Sequence, residues 1–465
     1  MFLGREKELK EFNRLYNQDT FQMLVLYGRR RVGKTTLLKE FCKGKPAIFF
    51  SAENSNEKLN LDKFSEQVFL FFNIKTMENF TQWSKAFGFI TEKAMEKQVV
   101  LIIDEFPYLA ENNKVILSVL QHTIDNSMKD SKLFLVLCGS YMGFMEREVL
   151  GVKSPIFGRR TAQLHMKSFD YYDSADFVKE YSNEDKMMVY GIFGGTPHYL
   201  NHLDAHSSLE DNMKFNYFVP IGYLYEETSL LLQQELREPG VYNAIIEAIA
   251  GGATRLNEIS VKTGEDNAKC AKYIATLIEL GIVIKQIPLG EKVTSRKSIY
   301  KLADNMFLFW YRFVAPNKTL IETDSGDIVI KKRVNPYLSD YMSIVFEDAC
   351  KEYLLRMNRK GELPFLFDRI GRWWGTDNKK KEQVEIDIVA NDKSDYLFCE
   401  CKWREDKVNI NVVKDLIEKS ELFHCVKKYF IIFSKTGFTN AVIQYATENK
   451  DIILYSLGDM FQENL

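Results

Sequence analysis

The chain has 465 residues, of which 46% are hydrophobic and 27% are charged, and its formal net charge is −2 at pH 7. This composition is that of a folded globular protein, and the length predicts about three domains. The charge balance excludes a global positive field that attracts nucleic acid, so any contact with DNA must depend on a local basic patch.

The N-terminal segment Met1–Glu6 has no hydrophobic core of a signal peptide. No apolar run approaches the ~20 residues of a membrane helix, and the longest apolar segment, Met306–Val314, predicts a core helix. The seven cysteines include no Cys-x-x-Cys pair, which argues against zinc and against a disulfide framework. We therefore expect a cytoplasmic protein without a membrane partner, and a buried, inert role for Cys399 and Cys401.

Alternating strand and helix patterns over residues 1–165 predict a parallel sheet covered on both faces. The predicted strands are Gln22–Tyr27, Ala47–Ser51, Gln98–Asp104 and Leu133–Gly139. Beyond them we expect four further regions: a helical lid over 166–238, a winged helix over 239–315, an irregular polar connector over 316–338, and a second α/β unit over 339–465. The predicted fold class is α/β throughout.

A glycine-rich segment follows the first predicted strand and precedes a helix start, and it matches Gly-x-x-x-x-Gly-Lys-Thr. In such a loop the backbone N–H groups cradle a phosphate at a helix N-terminus. We expect Lys34 to reach the β- and γ-phosphates and Thr35 to ligate Mg²⁺. The predicted nucleotide-binding segment comprises Gly28, Arg29, Arg30, Arg31, Val32, Gly33, Lys34, Thr35 and Thr36, with the three arginines facing solvent or a partner.

Polar residues end the next two predicted strands of the sheet. Asp104 and Glu105 close an apolar run, and a phosphate-binding loop needs such a pair to hold the Mg²⁺ shell and to direct the attacking water. Ser140 follows the strand Leu133–Gly139 and is either a sensor of the γ-phosphate or part of a plain turn. Downstream, Arg159 and Arg160 are either a source of an arginine finger or members of a surface ion pair.

The segment 239–315 has the pattern of helix, short helix, helix and β-ribbon that is typical of a winged helix. The third helix carries few basic residues, chiefly Lys269 and Lys272, and the ribbon adds Lys292, Arg296 and Lys297. Recognition of DNA and contact with other proteins both remain open, because winged helices serve both uses.

The C-terminal half places acids on two neighbouring predicted strands. In Val384–Val389 the alternation puts Ile386 and Ile388 on one face and Asp387 on the other, while Glu400 and Lys402 share a face of the next strand. If the strands pair, these three polar side chains converge. A basic and aromatic segment comprising Arg369–Trp374 and Lys379–Lys381 suits an approach by nucleic acid, although a solvated loop with structural tryptophans is equally open.

Two family resemblances follow from these segments. The segments Phe2–Leu9, Ile103–Phe106, Phe157–Arg160 and Gly194–Pro197, together with the phosphate-binding loop, resemble the archaeal-type ATPases of the AAA and STAND branch. That resemblance implies that Gly4, Arg5 and Pro197 line the base side of the nucleotide pocket, and that the Gly-Arg-Arg segment carries the arginine finger.

The C-terminal segment is similar to the PD-(D/E)xK nucleases and to the domain of unknown function that accompanies the same ATPases. The similarity implies that Glu347, Asp387 and Glu400 bind Mg²⁺ and that Lys402 activates the attacking water.

We therefore expect an ATPase that uses ATP and Mg²⁺, with Lys34, Glu105 and Arg160 as its catalytic residues. Its nucleotide state positions a winged helix and a nuclease-like domain, whose catalytic residues are Asp387, Glu400 and Lys402. DNA is a candidate partner, and the sequence does not give the substrate. The alternatives are a signalling or chaperone-like ATPase that contacts proteins through an inactive nuclease-like scaffold, and a nucleotide-gated DNA-binding regulator. The sequence leaves the oligomeric state open.

Overall fold

The computed structural model describes residues 2–75, 78–236, 238–292, 294–295 and 297–462. The chain divides into two compact units, Met1–Ser168 and Phe169–Leu465. Within the described residues, every helix is too short or too polar to cross a bilayer.

The first unit is a five-stranded parallel sheet with helices on both faces. Its strands are β1 (Gln22–Tyr27), β2 (Ala47–Ser51), β3 (Val99–Asp104), β4 (Leu133–Gly139) and β5 (Ala162–His165). Its helices are α1 (Glu6–Tyr16), α2 (Lys34–Cys42), α3 (Glu57–Phe71), α4 (Trp83–Glu96), α5 (Phe106–Asn112), α6 (Ile116–Asn126) and α7 (Met142–Phe144). The order across the sheet is β2-β3-β4-β1-β5, so β4 lies between β1 and β3.

Alternate residues of the central strands build two separate cores. Leu24 and Leu26 of β1 pack with α1 and α2 on one face, while Met23 and Val25 pack with α3, α4 and α6 on the other. The predicted parallel sheet is confirmed, and β1, β2 and β4 have the predicted bounds. Strand β5 was not predicted, because it is four residues long and none of its residues is fully buried, so it lacks an apolar run.

The second unit begins with a series of helices that is interrupted by a small antiparallel pair of strands. The helices are α8 (Tyr171–Ser174), α9 (Asn183–Phe193), α10 (Pro197–Leu200), α11 (Leu209–Tyr217), α12 (Glu227–Glu235), α13 (Pro239–Ala250), α14 (Leu256–Thr263), α15 (Asn267–Glu279), α16 (Asn305–Phe309), α17 (Lys318–Glu322) and α18 (Gly326–Val329). The strands β6 (Val283–Gln286) and β7 (Ile299–Leu302), with the loop between them, are called the ribbon below.

The prediction of an irregular connector over 316–338 is wrong. That stretch is helical almost throughout, with α17, α18 and a π-helical turn at Ile330–Val334 leading into α19 (Asn335–Lys360). Its apolar residues Ile321, Val329, Ile330 and Val334 are buried. They are spaced among charged residues, so the segment looks polar in sequence although it fills part of the core.

A second five-stranded sheet follows α19, in the order β12-β11-β10-β9-β8. Its elements are β8 (Arg369–Asp377), β9 (Glu382–Asn391), β10 (Asp395–Lys402), α20 (Ile410–Ser420), β11 (Lys427–Ser434), α21 (Asn440–Glu448), β12 (Ile452–Ser456) and α22 (Leu457–Met460). Strands β8, β9 and β10 pair antiparallel, and β10, β11 and β12 pair parallel. The α/β character predicted for this part of the chain is thereby confirmed, whereas the bounds 339–465 stay a prediction.

One predicted detail of this sheet is wrong. Ile386 packs in the core beside α20, whereas Ile388 packs in the core beside α19, so the two residues face opposite sides. The register explains the difference, because Gly371 pairs with Val389 and Trp373 pairs with Ile386, which leaves Asp387 and Ile388 together opposite Arg372. Such a bulge shifts the side-chain alternation by one residue.

Candidate nucleotide and metal sites

The loop between β1 and α2 depends on backbone conformations that only glycine adopts easily. Gly28 has φ +153° and Gly33 has φ +93°. A Cβ at Gly28 would lie 2.2 Å from the carbonyl oxygen of Met166, so no larger residue fits there. Gly33 is the N-cap of α2 and has no side chain to cap the first N–H groups of the helix. Those groups are therefore available to an anion.

Lys34 lies folded against this loop. Its Nζ donates hydrogen bonds to the carbonyl oxygens of Gly28 (2.8 Å) and Arg29 (2.9 Å), and the residue is buried. Burial lowers the pKa of the Lys34 ammonium, and the nearby Cys138, Glu105 and Asp104 act in the opposite direction. The Lys34 ammonium group therefore lies at the phosphate-binding loop, where its hydrogen-bond acceptors are two uncharged, weak carbonyl oxygens.

Thr35 and Asp104 meet although 69 residues separate them in sequence. The Thr35 Oγ1 donates to Asp104 Oδ2 at 2.8 Å, and the other oxygen of the buried Asp104 accepts from the Glu105 N–H at 3.0 Å. Asp104 ends β3, and Thr35 lies in the first turn of α2, which follows β1. Because β1 and β3 are parallel strands of one sheet, the two residues lie at the same edge of it. A hydroxyl and a carboxylate at this spacing are oxygen donors suited to Mg²⁺.

Glu105 and Ser140 form the second contact at this edge. Glu105 has a left-handed backbone with φ +50°, and its Oε1 accepts a hydrogen bond of 2.9 Å from Ser140 Oγ. A non-glycine residue in this region costs about 1–3 kcal/mol and is concentrated at functional sites. Because β4 lies between β1 and β3, Ser140 at its end reaches the acid that follows β3.

The arginines of the loop are partly enclosed by the protein, and their orientation toward solvent or a partner stays a prediction. Arg29, Arg30 and Arg31 are all half-buried, and Arg30 Nη2 donates to Tyr108 Oη at 2.7 Å. Val32 lies in the core beneath α2, whereas Thr36 is exposed. Sequence reasoning missed Tyr108, which is two residues into α5 and carries no motif.

Arg5 and Arg159 have structural partners in the first unit. The Arg5 guanidinium donates to the carbonyl oxygen of Lys167 (2.5 Å) and to Glu8 (3.2 Å). Arg159 makes a two-pronged ion pair with Asp125, at 2.7 and 2.8 Å. Arg160 instead lies over the ring of Phe157 at 6.0 Å. The predicted nucleotide contacts of Gly4, Arg5, Arg160 and Pro197, the last of which begins α10 in the second unit, stay predictions.

The acids of the second sheet come together at the bulge. Beyond the pair Cys399–Ile388, strands β9 and β10 separate, and the Asp387 carboxylate accepts the hydrogen bond of the Cys401 N–H at 2.8 Å. On β10, Lys402 Nζ lies 2.5 Å from Glu400 Oε1, as expected for residues on one face. Burial raises the pKa of Asp387 to about 6, and the charge of Glu400 adds to the effect.

Glu347 of α19 adjoins the same place. Burial, together with the charge of Asp387, raises the pKa of Glu347 to about 8, while the charges of Arg372 and Lys301 act in the opposite direction. Arg372 Nη1 lies 3.4 Å from Glu347 Oε2, and the Arg372 guanidinium also pairs with Glu385. Sequence reasoning missed this arginine as a partner of the acids, because only the bulge brings it opposite Asp387.

A divalent cation fits the chemistry of these donors. Carboxylate oxygens are its preferred ligands, and Glu400 Oε2 is buried without a hydrogen-bond partner, with Lys419 Nζ 3.8 Å away. Over the described ranges, however, no three His, Cys, Asp or Glu side chains are grouped as a metal site. The acids are instead engaged one by one, Glu347 by Arg372, Asp387 by Cys401 N–H and Glu400 by Lys402.

Several of the basic residues predicted to approach nucleic acid form ion pairs with acids of this chain. Lys269 pairs with Glu265 at 2.9 Å, Lys297 with Glu291 at 2.7 Å, and Lys380 with Glu418 at 2.5 Å. The ring of Trp373 packs against Phe423 at 4.9 Å. The segment Arg369–Trp374 is a strand of the second sheet, which favours the structural role for this tryptophan. Arg296 lies outside the described residues.

Comparisons with known proteins agree with this architecture. A family model described as an ATPase domain predominantly from Archaea matches residues 2–203, and one described as archaeal and bacterial proteins of unknown function matches residues 310–413. An uncharacterized protein of Methanocaldococcus jannaschii is 32% identical over 475 residues, covering 99% of this chain and 100% of that protein. An uncharacterized ATP-binding protein of the same organism is 47% identical over 45 residues, covering 10% of this chain and 76% of that protein.

A solved structure, that of a Walker-type ATPase of Pyrococcus abyssi, is similar in fold. It has a TM-score of 0.53 at 20% identity, covering 67% of this chain and 96% of that chain. The α/β fold class and the resemblance predicted from the phosphate-binding loop are therefore confirmed. The chain belongs to the family of archaeal-type ATPases, in which an ATPase domain predominantly from Archaea is joined to a domain of unknown function.

Proposed function

We propose that this protein is a Mg²⁺-dependent ATP hydrolase whose nucleotide state controls its second unit. The observation that carries the proposal is the contact of Thr35 with Asp104 at 2.8 Å, next to the contact of Ser140 with Glu105 at 2.9 Å. A metal ligand pair and a water-directing acid thus stand at one sheet edge, beside a loop whose N–H groups suit phosphate.

Each residue has a distinct part in this proposal. Lys34 leaves the carbonyl oxygens of Gly28 and Arg29 and binds the β- and γ-phosphates of ATP, which are stronger acceptors because they are charged. Mg²⁺, when bound, neutralises charge that develops on the phosphates. Glu105 accepts the proton of the attacking water, and Ser140 holds that carboxylate in place.

Arg160 is our proposed arginine finger. Of the two adjacent arginines it is the more suitable, because the Nε and Nη2 of Arg159 already donate hydrogen bonds to the Asp125 carboxylate. Arg5 and Pro197 are proposed to contact the base of ATP, as the family resemblance implies.

Calorimetric titration of ATP with Mg²⁺ into the full-length protein tests the nucleotide site. We expect binding by the wild type and a loss of about 100-fold or more in affinity for Lys34→Ala, since a charge-assisted contact to phosphate is removed. Lys39→Ala, on an exposed face of α2, is the matched control and binds as the wild type does. Absence of ATP binding by folded wild-type protein would overturn the proposal.

A second candidate function, metal-dependent cleavage of DNA by the second sheet, is favoured by the buried Glu400 Oε2 that accepts no hydrogen bond. In this proposal Glu347, Asp387 and Glu400 hold a divalent cation, which supplies charge neutralisation and a more acidic water. Lys402 positions the attacking water. The helices α13, α14 and α15 with the ribbon act as a winged helix that presents the DNA.

Cleavage assays with Mn²⁺ on single-stranded DNA, duplex DNA and RNA test this second function. Cleavage that disappears in Asp387→Ala and persists in Asp406→Asn, an exposed loop control, would support it. ATP hydrolysis without any cleavage would favour the signalling or chaperone-like alternative. ATP-dependent DNA binding without cleavage would favour the regulator.

A further inference from the structure

Arg372 occupies the position in the second sheet that is opposite both Asp387 and Ile388 of the bulge. Its guanidinium contacts Glu347 Oε2 at 3.4 Å and also pairs with Glu385, while its side chain is 29% exposed. An arginine so placed neutralises acids that belong to two different elements, α19 and β9. Of these two acids, Glu347 is also a ligand of the proposed divalent cation.

The ribbon holds the arginine from the other side. The Leu289 N–H donates to the carbonyl oxygen of Arg372 at 3.0 Å, and the side chains of Leu289 and Trp373 both pack against the core beside α20. Lys301 of β7 forms a 2.5 Å ion pair with Asp348, the residue after Glu347. The ribbon is therefore fastened both to the main chain of Arg372 and to the helix that carries Glu347.

We propose that the Arg372 guanidinium keeps divalent metal out of the site formed by Glu347, Asp387 and Glu400, and that the ribbon holds Arg372 in this position. The inference rests on the proposed metal site of the second sheet. Uptake of a divalent cation requires Arg372 to leave Glu347, because both bind the same carboxylate. Detachment of the ribbon frees the Arg372 main chain and so opens the site.

Calorimetric titration of Mn²⁺ into nucleotide-free, full-length protein tests this inference without any activity measurement. We expect Arg372→Gln to bind Mn²⁺ about 10-fold tighter or more, since a competing charge is removed from a half-buried carboxylate. Leu289→Ala, which leaves all charges in place but loosens the ribbon, is expected to tighten binding about 3-fold or more.

Lys419→Gln is the charge-matched control, because Lys419 Nζ lies 3.8 Å from Glu400 but makes no contact with the ribbon in any described pair. If its gain in Mn²⁺ affinity equals that of Arg372→Gln, or if Leu289→Ala binds as the wild type does, the inference is overturned. Should Arg372→Gln fail to fold, the comparison of Leu289→Ala with wild type still decides.

Asp387→Asn separates this inference from the proposed metal site. When added to Arg372→Gln it is expected to abolish the gain in affinity. If Asp387→Asn changes Mn²⁺ binding in neither background, the acids do not bind metal and the proposed cleavage function fails. If it weakens binding while Arg372→Gln brings no gain, the metal site stands and only the role of Arg372 fails.

Discussion

Thr35 Oγ1 donates a hydrogen bond to Asp104 Oδ2 at 2.8 Å, which joins the first turn of α2 to the end of β3. The two strands that lead to these residues are not neighbours, because β4 lies between them. The strand between them brings Ser140 to Glu105. Four polar side chains that lie at or after the ends of three strands therefore meet at one edge of the sheet.

Removal of the Glu105 carboxylate is expected to abolish turnover and to spare binding. We expect Glu105→Gln to lower kcat for ATP about 100-fold or more with little change in the Kd of ATP, because general-base catalysis contributes about that much. Steady-state hydrolysis and a fluorescent-nucleotide titration measure the two quantities. A variant that hydrolyses ATP at the wild-type rate would contradict the role of Glu105.

Removal of the Ser140 hydroxyl is expected to have a smaller effect of the same kind. Ser140→Ala leaves Glu105 unanchored, so we expect a fall in kcat of about 10-fold with unchanged Kd. Ser127→Ala, which removes a hydrogen bond to the carbonyl oxygen of Thr123, is the control and should keep the wild-type kcat. Equal effects of the two substitutions would mean that Ser140 is an ordinary turn residue.

Gly28→Ala is expected to destabilise the first unit. Its Cβ would lie 2.2 Å from the Met166 carbonyl oxygen at φ +153°, so β5 or the phosphate loop must shift. We expect a loss of about 2 kcal/mol or more in the free energy of unfolding, together with weaker ATP binding. Gly88→Ala in α4, where the added Cβ meets nothing within 4 Å apart from its chain neighbours and the backbone of its own helix, is the control and should not destabilise. Denaturant unfolding compares them.

Glu352 makes the stability of the second unit depend on pH. It accepts hydrogen bonds from Tyr190 Oη (2.9 Å) and Tyr171 N (3.2 Å), and burial raises its pKa to about 8. The folded protein therefore keeps a proton that the unfolded chain loses near its ordinary pKa. Protonated Glu352 therefore contributes fully to the free energy of unfolding below that ordinary pKa, and this contribution is lost as pH rises through about 8.

We accordingly expect Glu352→Gln to flatten the fall in melting temperature between mildly acidic and alkaline pH, since the amide stays neutral. Differential scanning calorimetry across that range measures the effect. Glu66→Gln on the exposed face of α3 is the control and should keep the wild-type profile. A wild-type slope that Glu352→Gln does not alter would assign the pH dependence to other groups.

The helices that we predict to form a lid, among them α9, depend on α19 for part of their core. Tyr341 Oη donates to the carbonyl oxygen of Gly191 at 2.5 Å, and an added Cβ at Gly191 would meet Met342 Sδ at 2.5 Å. We expect a chain of residues 1–338 to aggregate or melt well below the full-length protein, because it exposes apolar residues of α9. A chain of residues 1–168, which has its own two cores, should melt cooperatively. A fully stable 1–338 chain would contradict this dependence.

Local pattern sufficed for the elements whose residues carry an uninterrupted signal. The apolar runs of β1, β2 and β4 have the predicted bounds, because strands buried on both faces tolerate few polar residues. Glycines and acids at strand ends likewise marked the phosphate loop and Asp104–Glu105, since a phosphate site requires them directly after a strand.

Tertiary structure alone decided everything that depends on which elements are neighbours. Strand order placed Ser140 beside Glu105, and a bulge shifted the side-chain alternation so that Ile386 and Ile388 face opposite cores. The same bulge brought Arg372 to the acids. Neither pairing register nor strand order leaves a trace in local hydropathy, because both are set by contacts between residues distant in sequence. The sequence by itself determined the chemistry available to this protein, and the fold decided which groups meet.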